Sequence, residues 1–144
     1  MARISTLLAV VFLSGCVAMS IGELEETGVR RSWYVEGVYT DVSSCLIEWL
    51  EREDPGKNII HLGIGHALHY RELPSQKRVE IQQRPRGNVY FYKLTLQPAT
   101  ESRTLVNFLV EPLSPKWKIE ALLRGLRMCG GGIVKDARTL SEGE

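Results

Sequence analysis

Two apolar stripes at helical spacing, one in each half of the chain, constrain the fold more than any other feature. Val42, Cys45, Leu46, Trp49 and Leu50 recur at steps of three and four, and Trp117, Ile119, Leu122, Leu123, Leu126 and Cys129 follow a similar period. Each pattern predicts a helix with a single apolar side that must be buried against something else. Thr40 or Asp41 is expected to cap the first helix, and Asp54-Pro55-Gly56-Lys57-Asn58 to end it near Glu53. Ser114-Pro115 opens the second helix with a cap and a first-turn proline, and Gly130-Gly131-Gly132 stops it.

What the helices are buried against is written in the alternating segments. Ser32 to Tyr39 reads as a first strand, Ile59 to Glu72 as an extended stretch with a bend at Gly63 and Gly65, Val79 to Arg84 as a third segment, then Val89 to Leu96 and Thr104 to Val110. Pro85-Arg86-Gly87-Asn88 and Pro98 to Ser102 are the intervening turns, and Ile133-Val134 is a short edge strand. Two one-sided helices and a run of hairpins predict an α+β two-layer sandwich: a mainly antiparallel sheet of four to five strands with both helices on one face. The other face is expected to be uncovered around Gly63, Gly65 and Ala67.

The first residues follow a different logic. Met1-Ala2-Arg3 gives a basic start, and Ile4 to Leu13 is mostly apolar. This run is too short for a bilayer span, which takes about 20 residues, and it suits a cleaved export signal. Leu13-Ser14-Gly15-Cys16 then resembles the lipobox of bacterial lipoprotein precursors. The resemblance implies that residues 1–15 are removed, that the Cys16 thiol carries a diacylglycerol, and that its amino group takes a further acyl chain such as palmitate. Two or three chains anchor a protein firmly where one binds only marginally. In a Gram-negative source the resemblance also implies the outer membrane, facing the periplasm, because Val17 is not the Asp that holds such proteins at the inner membrane. Residues 16–31 are expected to be a tether, 32–135 a single domain and 136–144 a flexible tail.

With Cys16 assigned to lipid, Cys45 and Cys129 remain of the three cysteines. They lie on or beside the two helical stripes, so helices adjacent on one face can bring them to bonding distance; two separate buried thiols are the alternative. Formal charge is +1 with the leader and zero once Arg3 is gone, and no cluster of cations stands out. That composition excludes a nucleic-acid binder.

Catalytic signatures are lacking at the level of motif. His61, His66 and His69 fall within nine residues, but at about 3.4 Å per residue on a strand they cannot converge without a sharp bend, and no further ligand has suitable spacing. Ser43, Ser44 and Cys45 open a helix, where a thiolate is favoured, yet Cys45 belongs to the apolar stripe. Glu48, Glu51, Glu53 and Asp54 read as a solvated helix end, with Glu48 and Arg52 an i,i+4 pair. Gly130–Gly132 follows a helix, the end that repels anions. No metal, cofactor or catalytic residue is expected. Arg84, Arg86, Tyr90 and Tyr92, at and after a hairpin tip, are the expected interaction surface, with Trp33, Trp49 and Trp117 as further aromatic groups. The expectation is an envelope lipoprotein, non-enzymatic, serving as a protein-interaction or assembly module. A lipid or small apolar ligand carrier and an envelope hydrolase with dispersed residues are the alternatives.

Overall fold

The computed structural model describes residues 20–53, 66–85, 92–112 and 116–140. In chain order these form α1 (Ile21–Thr27), β1 (Val29–Glu36), α2 (Tyr39–Glu53), β2 (His66–Leu73), β3 (Arg78–Pro85), β4 (Tyr92–Thr100), β5 (Arg103–Val110), α3 (Lys116–Cys129), β6 (Val134–Asp136) and α4 (Ala137–Leu140). Every strand pairing is antiparallel, and the sheet order is β2-β3-β4-β5-β1-β6. β2 to β5 form a meander, which the hairpin signals foretold. β1 lies beside β5, and β6 closes that side by pairing Trp33–Val35 with Val134–Asp136. The architecture is the expected mixed domain, with α2 and α3 against one face of an antiparallel sheet, but the sheet has six strands where four to five were expected, and α1 packs on the other face.

The alternation decides which side is dry. Trp33 and Val35, Val79 and Ile81, Tyr92, Leu94 and Leu96, and Val106, Phe108 and Val110 are all buried in one cluster with Val42, Leu46, Trp49 and Leu50 of α2 and Ala121, Leu122 and Leu126 of α3. Phe108 sits at its centre, its ring centroid 6.1 Å from Trp33 and 5.5 Å from Tyr92. Burying an aliphatic or aromatic side chain of this size contributes about 1.5–3 kcal/mol, so this layer supplies most of the driving force.

The two helices are fastened to each other at two levels. Cys45 and Cys129 are disulfide-bonded, with their Cα atoms 5.7 Å apart. One turn along in each helix, a Cβ placed on Gly125 would stand only 2.6 Å from Trp49 Cε3. Residue 45 therefore faces 129 while 49 faces 125, which makes the pair antiparallel. Past the bond, a Cβ on Gly130 would collide with Val35 Cγ1, so only glycine lets the end of α3 come down onto β1.

Four boundaries differ from expectation. Residues 21–31 are not an irregular tether: Ser20 and Glu23 form a reciprocal capping box, Leu24 is fully buried, and β1 is already running at Val29. β1 stops at Glu36, because Gly37 takes φ +123° and turns the chain. The first long helix then starts at Tyr39, with Val38 accepting the N–H groups of Asp41 and Val42, so Thr40 and Asp41 fall within its first turn. Residues 137–140, expected in a flexible tail, form α4, and Arg138 Nη2 donates to the Arg30 carbonyl at 3.2 Å. The expected bend at Gly63 and Gly65 and the helix cap at Ser114-Pro115 lie outside the described residues.

The 84-residue separation of the bonded cysteines makes loop closure worth about 4–5 kcal/mol in the chain-entropy account. Replacing both by alanine is expected to lower unfolding free energy by about 2–5 kcal/mol in urea titration. Gly125→Ala is expected to lose about 1–2 kcal/mol even though alanine favours the helix by about 1 kcal/mol, because the Trp49 ring blocks the added methyl.

Candidate functional site: a cationic cleft on the second sheet face

The sheet face away from α2 and α3 carries the polar half of each strand. β2–β3 register sets Arg71 opposite Glu80 and His69 opposite Gln82, while β3–β4 register sets Gln82 opposite Lys93 and Glu80 opposite Thr95. Arg78 precedes Glu80 by two residues and shares its face. These side chains therefore converge from three strands, although no two of Arg71, Glu80 and Lys93 are near in sequence.

Glu80 is the organising group. Its side chain is only 4% exposed, and it accepts from Arg71 Nη2 at 2.8 Å and pairs with Arg78 Nη2 at 2.9 Å. Lys93 Nζ lies 3.9 Å from the same carboxylate and 3.4 Å from Glu25 Oε1 of α1. Burial pushes the Glu80 carboxyl up, but the Arg71 hydrogen bond and the charges of Lys93, Arg78 and Arg71 outweigh it, leaving its pKa below the ordinary carboxylate value. The ionised form is the one that fits, because three cations would otherwise face each other without a counter-charge.

Around this cluster lies a cleft of about 600 Å³, bounded also by Ile21, His69, Tyr70 and Gln82. A smaller recess of about 180 Å³ lies between α1 and the centre of the sheet, with Lys93 shared between the two. There Ser32 Oγ donates to Asn107 Oδ1 at 2.7 Å, which commits that hydroxyl to the sheet. α1 roofs this region: Leu24 is buried, and the Gly28 backbone passes so close to Leu109 Cδ1 that a Cβ would stand 2.7 Å from it. The chemistry on offer is attraction and hydrogen-bond donation to an anion. Among the described residues no three His, Cys, Asp or Glu side chains gather closely enough to hold a metal ion.

The residues singled out in the sequence are dispersed. Tyr92 is a correction: paired with Gln83 and Val110 on the helix side, it is buried against Phe108 and presents no interaction surface. Arg84 belongs to β3, and Arg86 and Tyr90 lie outside the described residues, as do Cys16 and His61. His66 opens β2, and His69 reaches the rim of the cleft. Trp33 and Trp49 are core, and Cys45 and Cys129 are bonded to each other. Sequence reasoning missed the Arg71–Arg78–Glu80–Lys93 cluster. Its signal was present as polar residues at alternate positions of three strands, but pairing them requires the inter-strand register.

Comparison with family models, curated proteins and solved structures finds no match for this chain.

A carboxylate with a lower pKa in the folded than in the unfolded state stabilises the fold above its unfolded value. That contribution is lost as pH falls through the folded value. The thermal midpoint is therefore expected to fall on acidification below about pH 4.3, the ordinary glutamate value. In Glu80→Gln this acid dependence should flatten, with a loss of about 1–3 kcal/mol at neutral pH as charged hydrogen bonds disappear. Equal slopes in the two proteins would show that Glu80 is not the group responsible.

Proposed function

We propose that this chain is an exported, lipid-anchored envelope lipoprotein whose domain works through protein contacts. The observation that carries the reading is the Cys45–Cys129 bond, which leaves Cys16 as the remaining one of the three cysteines, at the end of an export-type leader. A structural disulfide suits an oxidising compartment, where such bonds persist. In a Gram-negative source, Val17 after the lipidated cysteine supports the outer membrane.

A second feature favours contact as the mode of action. Among the described residues, Val38, Met128 and Ile133 are exposed at 44%, 63% and 49%. The close approach of Gly130 to Val35 and Glu36 brings all three to the end of β1 that lies away from α1. Two further exposed apolar side chains, Val29 at the α1 end of β1 and Tyr70 on edge strand β2, lie elsewhere, so these three form one local apolar group of the kind a protein-contact surface uses. The described clefts, by contrast, are polar and lie on the other face of the sheet from the packed helix layer, which gives the apolar-ligand alternative no support.

Mass spectrometry of the N-terminal peptide from the membrane fraction tests the anchor. The expected product begins at Cys16 and carries diacylglycerol, and an unmodified Cys16 would sink the reading. Detergent co-purification tests the contact role. A partner retained by the natural chain should be lost from Ile133→Asp while the thermal midpoint stays within a few degrees, since exposed substitutions shift stability by about 0.5 kcal/mol or less. Recovery of the natural protein as a lone monomer would count against it.

A further inference from the structure

α2 and α3 carry opposite charge. α2 holds Asp41, Glu48, Glu51 and Glu53 against Arg52 alone, a formal charge of −3. α3 holds Lys116, Lys118, Arg124 and Arg127 against Glu120 alone, a formal charge of +3. The helix pair is therefore neutral as a whole but divided lengthwise into an acidic and a basic half. Lys118 is committed to Glu111 at 3.2 Å, and the side chain of Glu53 lies outside the described residues. The other charged side chains of the two helices are all exposed, and none of them is in an ion pair with any described residue. Their heights are set by the contacts between the helices. Cys45 is bonded to Cys129 and Trp49 lies on Gly125, so each step along α2 is matched by one step back along α3. Glu48 is thus level with Leu126, Glu51 with Leu123 and Arg52 with Leu122. At a rise of about 1.5 Å per residue, Glu48 stands within about 3 Å of the heights of both Arg124 and Arg127. On the same measure Glu51 is about 1.5 Å from the height of Arg124, and Arg52 about 3 Å from that of Glu120.

We infer that two copies of this chain pair through the outer faces of α2 and α3, about a two-fold axis running along the helices. Such an axis keeps every height and lays α2 of each copy over α3 of the other. Glu48 and Glu51 then face Arg124 and Arg127, Arg52 faces Glu120, and each of these meetings occurs twice. Laying like helix on like would instead set acid on acid and base on base, so the charge pattern selects one arrangement. The faces are polar, which makes the contact steered by charge and sensitive to salt. α3 starts six residues after Val110, which pairs with Val29, and it ends against Val35, so the helices run along β1. The same axis therefore leaves both α1 helices at one end of the dimer and both groups of Val38, Met128 and Ile133 at the other. That suits two acyl anchors in one bilayer and offers a partner two copies of the apolar group, but the dimer requires neither.

The test is sedimentation velocity of the mature chain in density-matched detergent, with any free Cys16 thiol alkylated. A dimer is expected, and its dissociation constant should rise about tenfold or more between low and high salt. Glu48→Arg/Glu51→Arg and Arg124→Glu/Arg127→Glu should each be monomeric, with thermal midpoints within a few degrees of the natural chain because the sites are exposed. Mixing these two variants should restore a dimer, since each then supplies the charge that the other has lost. A natural chain that stays monomeric up to millimolar concentration overturns the inference, as does a dimer that survives both reversals. Failure of the mixture to dimerise would trace the loss to something other than charge pairing, and overturns it too. A monomer that still retains a different envelope protein overturns the dimer and leaves the contact role standing.

Discussion

The antiparallel contact between α2 and α3 is the constraint on which the rest of the domain depends. The sheet has one apolar face, and neither helix alone is wide enough to cover it. Side by side they are, but only if their axes come close enough for both stripes to reach the sheet. Gly125 under the Trp49 ring permits that approach, and the Cys45–Cys129 bond fixes it one turn away. The pair also decides where β1 can lie, since Gly130 at the end of α3 rests directly on Val35. With β1 held there, β6 follows the glycine turn onto its free side, and α4 reaches back to Arg30.

The second face obeys a different balance. A carboxylate as enclosed as Glu80 is costly to ionise unless its oxygens are satisfied, and here Arg71 and Arg78 each take one, with Lys93 further off. Two of the three cations are substantially exposed, so their attraction to Glu80 is weakened by solvent and worth less than the distances suggest. What the cluster does is hold their positions. Long basic side chains on an open sheet face would ordinarily sample many rotamers, and the shared carboxylate restrains them at the rim of one cleft. A surface of restrained cations loses less entropy on meeting an anion than a surface of free ones.

The fold was legible where the signal is local or periodic. The helical stripes named Val42, Leu46, Trp49 and Leu50 of α2 and Leu122 and Leu126 of α3 as buried, though not Ala121, and alternation in β4 and β5 separated Leu94, Leu96, Val106 and Phe108 from their outward neighbours. The interaction surface was misread because composition was taken as exposure: Tyr92 looked like a contact residue, yet its place in the strand pairing turns it inward beside Phe108. The Glu80 cluster could not be read at all, because its members lie on three strands whose registers depend on hairpins of uncertain length. α1 fell between these cases. Its capping box is a local signal, but a helix of seven residues has little stability of its own, and only burial of Leu24 on the sheet accounts for it.

α1 is also where packing and the proposed anchoring meet. A long irregular tether would let the domain tumble relative to the bilayer, and any difference between its faces would then matter little to a partner. Folding residues 21–27 onto the sheet removes that freedom and leaves a linker of a few residues between Cys16 and the Ser20 cap. β1 then carries the chain roughly 24 Å along the sheet, at about 3.4 Å per residue. At its far end stand Val38, Met128 and Ile133. Under the proposed anchoring, a charged region near the lipid and an apolar region at the opposite end are two consequences of one short helix being packed instead of loose. Destabilising Leu24 would therefore disturb presentation of the far patch without touching any residue in it, and that coupling separates an oriented scaffold from a domain merely tied to a membrane.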